Sequence, residues 1–190
     1  MSGSLQEGLL YLIKTLFDLY LFVLIIRFIL AGVRADFFNP LTQVAVRLTN
    51  PIVKPIRKVV PNFRDIELSS LMLIFLINLV KFTIVAVMSG AMPNVVGLLI
   101  ISFGDMLRLF IQVMTGALFI YVIMSWVQPF SPMQRLLHQV VMPVLGPFQR
   151  VMPPVAGFDL SIIPAFVVLQ LITIVFVNPL VQWGIGVAFG

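Results

Sequence analysis

The sequence predicts an all-α polytopic membrane protein of about four spanning helices, built as a tandem duplication. Three observations predict it. First, the 190-residue chain is 61% hydrophobic and only 10% charged, with a mean hydropathy of +1.13. A water-soluble domain of that size needs far more charge, so the main solvent is lipid. Second, several apolar runs reach the roughly 20 residues that cross a hydrocarbon core. Third, the segments between them repeat. Asn39-Pro40, Pro51, Pro55 and Pro61 recur 92 residues later, without a gap, as Ser131-Pro132, Pro143, Pro147 and Pro153. Val59 recurs as Val151, and Glu67-Leu68-Ser69 as Asp159-Leu160-Ser161. A shared register of this kind marks one unit used twice, dividing the chain into repeats 1–98 and 99–190.

The elements follow in order. Residues 9–33 form a first span with several residues to spare. Residues 1–8 carry no basic residue, and the run after them is long and lacks a small-residue cleavage site, so it reads as an anchor rather than a cleaved signal. Residues 68–89 form a second span and 107–127 a third, with Tyr121 and Trp126 as interfacial aromatics. Residues 162–183 form a fourth, where Pro164 falls in the first turn and its missing N–H costs little. Residues 91–103 hold Pro93, Asn94 and Gly97 and are too few to span comfortably. They read as an interfacial or re-entrant connector, or as a continuation of the third span. If they do not cross, the repeats are parallel; if they cross, the second is inverted.

The repeated segment has its own logic. Asn39 and Ser131 are N-cap residues, and Pro40 and Pro132 take the first helical position. Helices are expected to stop before Pro51 and Pro143, because the residue before proline avoids the α region. Leu41, Val44, Ala45 and Leu48 follow helical spacing, as do Met133, Leu136, Leu137 and Val140. Thr42, Gln43 and Arg47, or Gln134, Arg135 and His138, take the other face. A second short piece follows at 55–60, matched at 148–152. Each repeat is thus expected to carry an amphipathic, proline-rich helical hairpin in the membrane interface.

The charge pattern sets orientation. Arg34, Arg47, Lys54, Arg57, Lys58 and Arg64 fall between the first two spans, and Arg135 and Arg150 between the last two. The opposite side has at most Lys14 and Arg108, both near span ends. The positive-inside rule then places both hairpins in the cytoplasm.

These residues resemble the YggT family, also called YlmG. The pattern is carried by Arg27-Phe28-Ile29-Leu30, by Asn39-Pro40, and by Leu48-Thr49-Asn50-Pro51 through Pro55-Ile56-Arg57-Lys58-Val59-Val60-Pro61, with Glu67-Leu68-Ser69 closing it. The second copy runs through Ser131-Pro132 and from Pro143 to Pro153, including Pro147 and Arg150. It has Phe119 where Arg27 stands and Gln149 where Arg57 stands, so the first repeat holds most of the basic chemistry. The resemblance covers nearly the whole chain and is closest to the two-repeat form of bacterial inner membranes. It implies an association with membrane organisation near cell division, with maturation of a plastid cytochrome complex, or with osmotic and ion stress.

Candidate chemistry lies in the intramembrane charges, which are costly in hydrocarbon unless paired. Asp18 and Lys81 sit roughly 21–24 Å from the same ends of adjacent antiparallel helices, so they are expected to approach each other. They read either as an ion or proton site or as a pair fixing helix register. Arg27 is expected to snorkel, or to donate to carbonyls freed by the hairpin prolines. Asn78 and Gln170 occupy equivalent positions and are expected to bond across the repeat interface. Arg47, Lys54, Arg57, Lys58 and Arg64 make a basic surface suited to anionic headgroups or an acidic protein partner. Nucleic acid is not expected, because the apolar interleaving matches a membrane face. A haem ligand at His138 is the weaker reading of that residue.

The chain has no cysteine and one histidine, which excludes disulfides, thiolate chemistry and a multi-histidine metal site. No cofactor or catalytic site is expected. The leading expectation is a scaffold or assembly factor for membrane complexes, with the bilayer and a membrane protein as partners. The alternative is a small channel or transporter component, which needs a hydrated route in the chain or in a homo-oligomer.

Overall fold

The first apolar run becomes one long helix, α1 (Ser2–Gly32), in a computed structural model that describes residues 2–35, 39–60, 67–152 and 159–190. It ends in a Schellman turn: Arg34 N–H donates to the Ala31 carbonyl and Ala35 N–H to the Leu30 carbonyl. Arg34 holds the left-handed position at φ 51° that glycine usually fills. Helix α2 (Pro40–Val59) starts where Asn39 accepts from Leu41 N–H. Helix α3 (Leu68–Met88) closes with the same turn, here with Gly90 at φ 72°. Helix α4 (Val95–Val127) is capped by Asn94. Helix α5 (Pro132–Val151) is capped by Ser131, which accepts from Gln134 N–H. Helix α6 (Ile162–Ile172) passes through a π-helical turn (Thr173–Val177) into α7 (Asn178–Phe189). The turn directly precedes Pro179, whose missing N–H leaves the regular ladder a bond short there.

Four helical stretches are long and apolar enough to cross a membrane: Ser4–Gly32, Leu68–Met88, Val95–Val127 and Ile162–Phe189. Residues 95–103 are the first turns of α4 and make no crossing of their own. The two repeats therefore run parallel, each a span, a surface helix and a span.

Side-chain pairs fix the packing. Asp18 meets Lys81 and Arg27 meets Glu67, so α1 and α3 are antiparallel. Phe28 packs edge-on against Phe110, 5.3 Å between centroids, and joins α1 to α4. Helices α4 and α7 approach most closely through glycine. A Cβ on Gly97 would lie 2.3 Å from the Ala188 backbone nitrogen, and one on Gly184 2.9 Å from the Ile101 backbone nitrogen. Small residues let backbones meet this way inside a bilayer, where packing rather than the hydrophobic effect drives association. The main core is Leu21, Leu24, Ile25, Val53, Leu73, Ile74, Met106 and Val113.

Two expectations about α2 and α5 need correction. Neither helix stops before Pro51 or Pro143; both run on through Pro51 and Pro55, and through Pro143 and Pro147. There is no hairpin inside either segment. The four prolines lie on exposed faces, where carbonyls that lost an N–H can turn outward to water or headgroups. The face of α2 that packs on the protein is also not its most apolar one. Thr42, Ala45, Thr49 and Val53 are buried, whereas Leu41, Val44 and Leu48 are exposed. In lipid, large apolar side chains can face outward and the polar ones must find partners within. Pro61, Arg64 and Pro153 lie outside the described residues.

Candidate functional site

Two buried charge clusters contact α3, one at its start and one around Lys81, which also draws on Asp105 and Arg108 of the second repeat. The first joins α1, α2 and the start of α3. Arg27 is 6% exposed and Glu67 4%. Arg27 Nε donates to Glu67 Oε2 at 3.1 Å and Nη2 to Oε1 at 2.9 Å, a two-pronged pair. Its Nη1 donates to Thr49 Oγ1 and to Asn50 Oδ1, both at 2.8 Å. Arg57 Nη2 donates to Glu67 Oε1 at 2.5 Å, and Ser70 Oγ to Oε2 at 2.7 Å. Burial pushes the Glu67 carboxyl up, but bonds from Arg27 and Ser70 and the charges of Arg27 and Arg57 outweigh it and hold it below the usual range. Arg27 thus neither snorkels nor serves proline-freed carbonyls. The side chains at 49 and 50, together with Glu67, supply its acceptors.

The second cluster lies roughly 20 Å along α3. Lys81 Nζ donates to Asp18 Oδ1 and to Asp105 Oδ2, each at 2.7 Å. Lys81 is buried, while Asp18 is half-exposed. Arg108 stands 3.9 Å from Asp105 and donates to Asn178 Oδ1 at 3.3 Å. One ammonium therefore ties α1, α3 and α4 together. The sequence pairing of Asp18 with Lys81 has the distance it needs, and Asp105 completes a triad that the sequence reading missed. A cavity of about 440 Å³ reaches this cluster, lined by Lys14, Asp18, Lys81, Asp105, Arg108 and apolar side chains.

Between the clusters lies a packed layer. Leu21, Leu24 and Ile25 fall between Asp18 and Arg27 on α1, and Leu73 and Ile74 between Glu67 and Lys81 on α3; all five are buried. Asn78 sits in this layer at 0% exposure, and neither of its amide atoms has a partner. Gln170 is exposed, so the expected bond between these two residues does not form. Asn78 lies on the buried side of α3, whereas Gln170 lies on the outer side of α6.

The second repeat keeps an echo of the first cluster in which neutral donors replace the arginines. Gln149 Nε2 donates to Asp159 Oδ2 at 2.6 Å, where Arg57 and Glu67 stand in the first. Asp159 also accepts from the Ser161 backbone and hydroxyl. Phe119, in place of Arg27, is exposed. His138 meets the Tyr121 hydroxyl at 3.2 Å. Among the described residues no group of three or more His, Cys, Asp or Glu could hold a metal ion. Arg47, Lys54, Arg57, Lys58 and Arg150 are all exposed, on α2 and α5.

The CCB3/YggT family model matches the chain twice, over residues 6–88 and 100–180. Similar proteins include an uncharacterized protein of Pseudomonas aeruginosa, 41% identical over 181 residues, covering 93% of this chain and 92% of that one. A second is the uncharacterized protein YggT of Escherichia coli K12, 33% identical over 172 residues, with 89% and 88% covered. A third, from Vibrio alginolyticus, is 32% identical over 168 residues, with 87% and 91% covered. No solved structure matches.

Proposed function

The chain belongs to the CCB3/YggT family, and from that premise we propose that it is a non-catalytic scaffold that helps organise or assemble other proteins of a bacterial inner membrane. One observation carries this reading. Asp18, Arg27, Lys81, Glu67 and Asp105 are all spent on ties between helices of the same chain. Breaking such a tie strands a charge in hydrocarbon, so the clusters act as locks on helix register. Arg27 does not line the cavity at Lys81, and buried apolar side chains stand between the two clusters. What remains available is shape: a rigid repeat with the basic α2 surface at one membrane face, placed in the cytoplasm by the positive-inside rule.

The test is site-specific photo-crosslinking in native membranes from exposed positions on α2 and α5. A scaffold gives a discrete membrane-protein adduct that depends on position. Lipid adducts and a smear of abundant proteins, the same from every position, would remove the proposal.

A second reading is a small channel or transporter component linked to ion or osmotic homeostasis. The Lys81 triad at the end of a cavity favours it. It requires the apolar layer to open, or a homo-oligomer that makes another route. Lys81→Met abolishes ion-dependent behaviour on this reading and changes only stability on the first.

A further inference from the structure

A groove of about 270 Å³ runs between the end of α1 and the inner face of α2, and the bonds of the Arg27 cluster do not use it up. Its lining is polar at one end and nearly apolar at the other. At the charged end stand Arg27, Asn50, Lys54, Arg57 and Glu67. The side chains at 50, 54 and 57 follow one another at helical spacing. Three cations against one carboxylate leave the groove with an excess of two positive charges. Glu67 is fully engaged, but Arg57 uses one N–H on it and is half-exposed. Lys54 has no ion pair among the described residues and stands free at the rim.

Beyond this end the wall turns apolar, through Leu30, Ala31, Ala35 and Val46. It finishes at Thr42, which is 3% exposed with an unpartnered hydroxyl. Thr42 lies eight residues before Asn50, about 12 Å along the helix. A buried hydroxyl without a partner is costly.

We propose that this groove holds one anionic phospholipid. Its phosphodiester lies between Lys54 and Arg57. Three observations favour a lipid over a free anion. The charge is confined to one end, the middle is apolar, and the groove lies where α2 meets the spans at the membrane surface. A small anion would leave the apolar part of the groove unfilled. The second repeat is a built-in comparison. Gly146 stands where Lys54 does, Gln149 where Arg57 does and Phe119 where Arg27 does. The equivalent position there lacks the cations, so one site per chain is expected rather than two. This differs from diffuse adhesion of the basic surface, which would count Lys58 as equal to Lys54.

The test uses the purified full chain in neutral detergent. It is titrated with short-chain phosphatidylglycerol, with phosphatidylcholine of the same chain length, and with inorganic phosphate, and read by native mass spectrometry. One phosphatidylglycerol per chain is expected, held more tightly than phosphatidylcholine. Lys54→Gln should weaken it about tenfold, as loss of one charge-assisted bond does. Lys58→Gln, on the same helix but outside the groove, should weaken it by less than about twofold. Equal losses from Lys54→Gln and Lys58→Gln would overturn the site in favour of diffuse adhesion. Inorganic phosphate binding as tightly as the lipid, with the same dependence on Lys54, would overturn the lipid assignment. No preference for phosphatidylglycerol over phosphatidylcholine would overturn it as well.

Discussion

Glu67→Gln is the sharpest perturbation of the fold, because Glu67 is where α1, α2 and α3 are tied. The carboxylate accepts two bonds from Arg27, one from Arg57 and one from Ser70. Glutamine keeps one acceptor oxygen and turns an NH₂ toward the guanidinium. Arg27 then keeps Thr49 and Asn50 but carries a buried charge with no counter-ion. Breaking a buried pair from one side costs about 3–5 kcal/mol. The retained bonds put this case near the lower end, about 3 kcal/mol. Arg27→Met should cost less, about 2 kcal/mol, since Glu67 keeps Ser70 and the half-exposed Arg57. The double variant should lose only about 3 kcal/mol, because no buried charge is stranded, giving a coupling of about 2 kcal/mol. Reversible unfolding in mixed micelles, followed by fluorescence of Trp126 and Trp183, measures all three. Single losses under about 1 kcal/mol that simply add would refute the lock.

Other expectations follow from the same geometry. Asn78→Leu should stabilise the protein by about 1 kcal/mol in that assay, because it removes two unpartnered buried polar atoms in an apolar layer; a clear loss would mean that Asn78 has a partner in the membrane. Gly97→Val should disrupt α4–α7 packing, lowering the thermal midpoint sharply, whereas the same change at Gly116, which has open space around it, should not. Glu67 has its pKa held down by folding, so its contribution to stability is complete above the ordinary carboxylate range and is lost as pH falls through and below it. Stability should therefore hold from neutral pH to about 5 and decline below that, and Glu67→Gln should flatten the decline.

Much of this was legible in the sequence, for reasons tied to particular residues. The repeat shows because prolines and caps are chemically distinct, and Asn39, Pro40, Ser131 and Pro132 take the cap and first-turn positions that their chemistry prescribes. The Asp18–Lys81 approach follows from helical rise alone. Asp105 is hidden because a third span beginning at 107 leaves that carboxylate in a connector. Its signal was present in the helical spacing of Leu98, Ile101 and Asp105, all of which face inward. The partners of Arg27 could not be read from spacing. They depend on α2 folding back so that Thr49 and Asn50 reach α1, and on its running through Pro51 and Pro55. Local proline rules argue against that path, and tertiary packing with an exposed proline face permits it. The inverted burial of α2 is likewise a property of lipid as solvent, which rewards hiding Thr49, bonded to Arg27 and to the Ala45 carbonyl, more than hiding Leu48.

On the scaffold reading, the buried charges lock helices rather than carry ions. Ion flux into liposomes containing only the purified protein tests it most directly, with Asp18→Asn and Lys81→Met alongside. The wild-type chain should show no flux above protein-free liposomes, and both variants should show lowered stability. Flux through the wild-type protein that either substitution abolishes while the fold survives would contradict it.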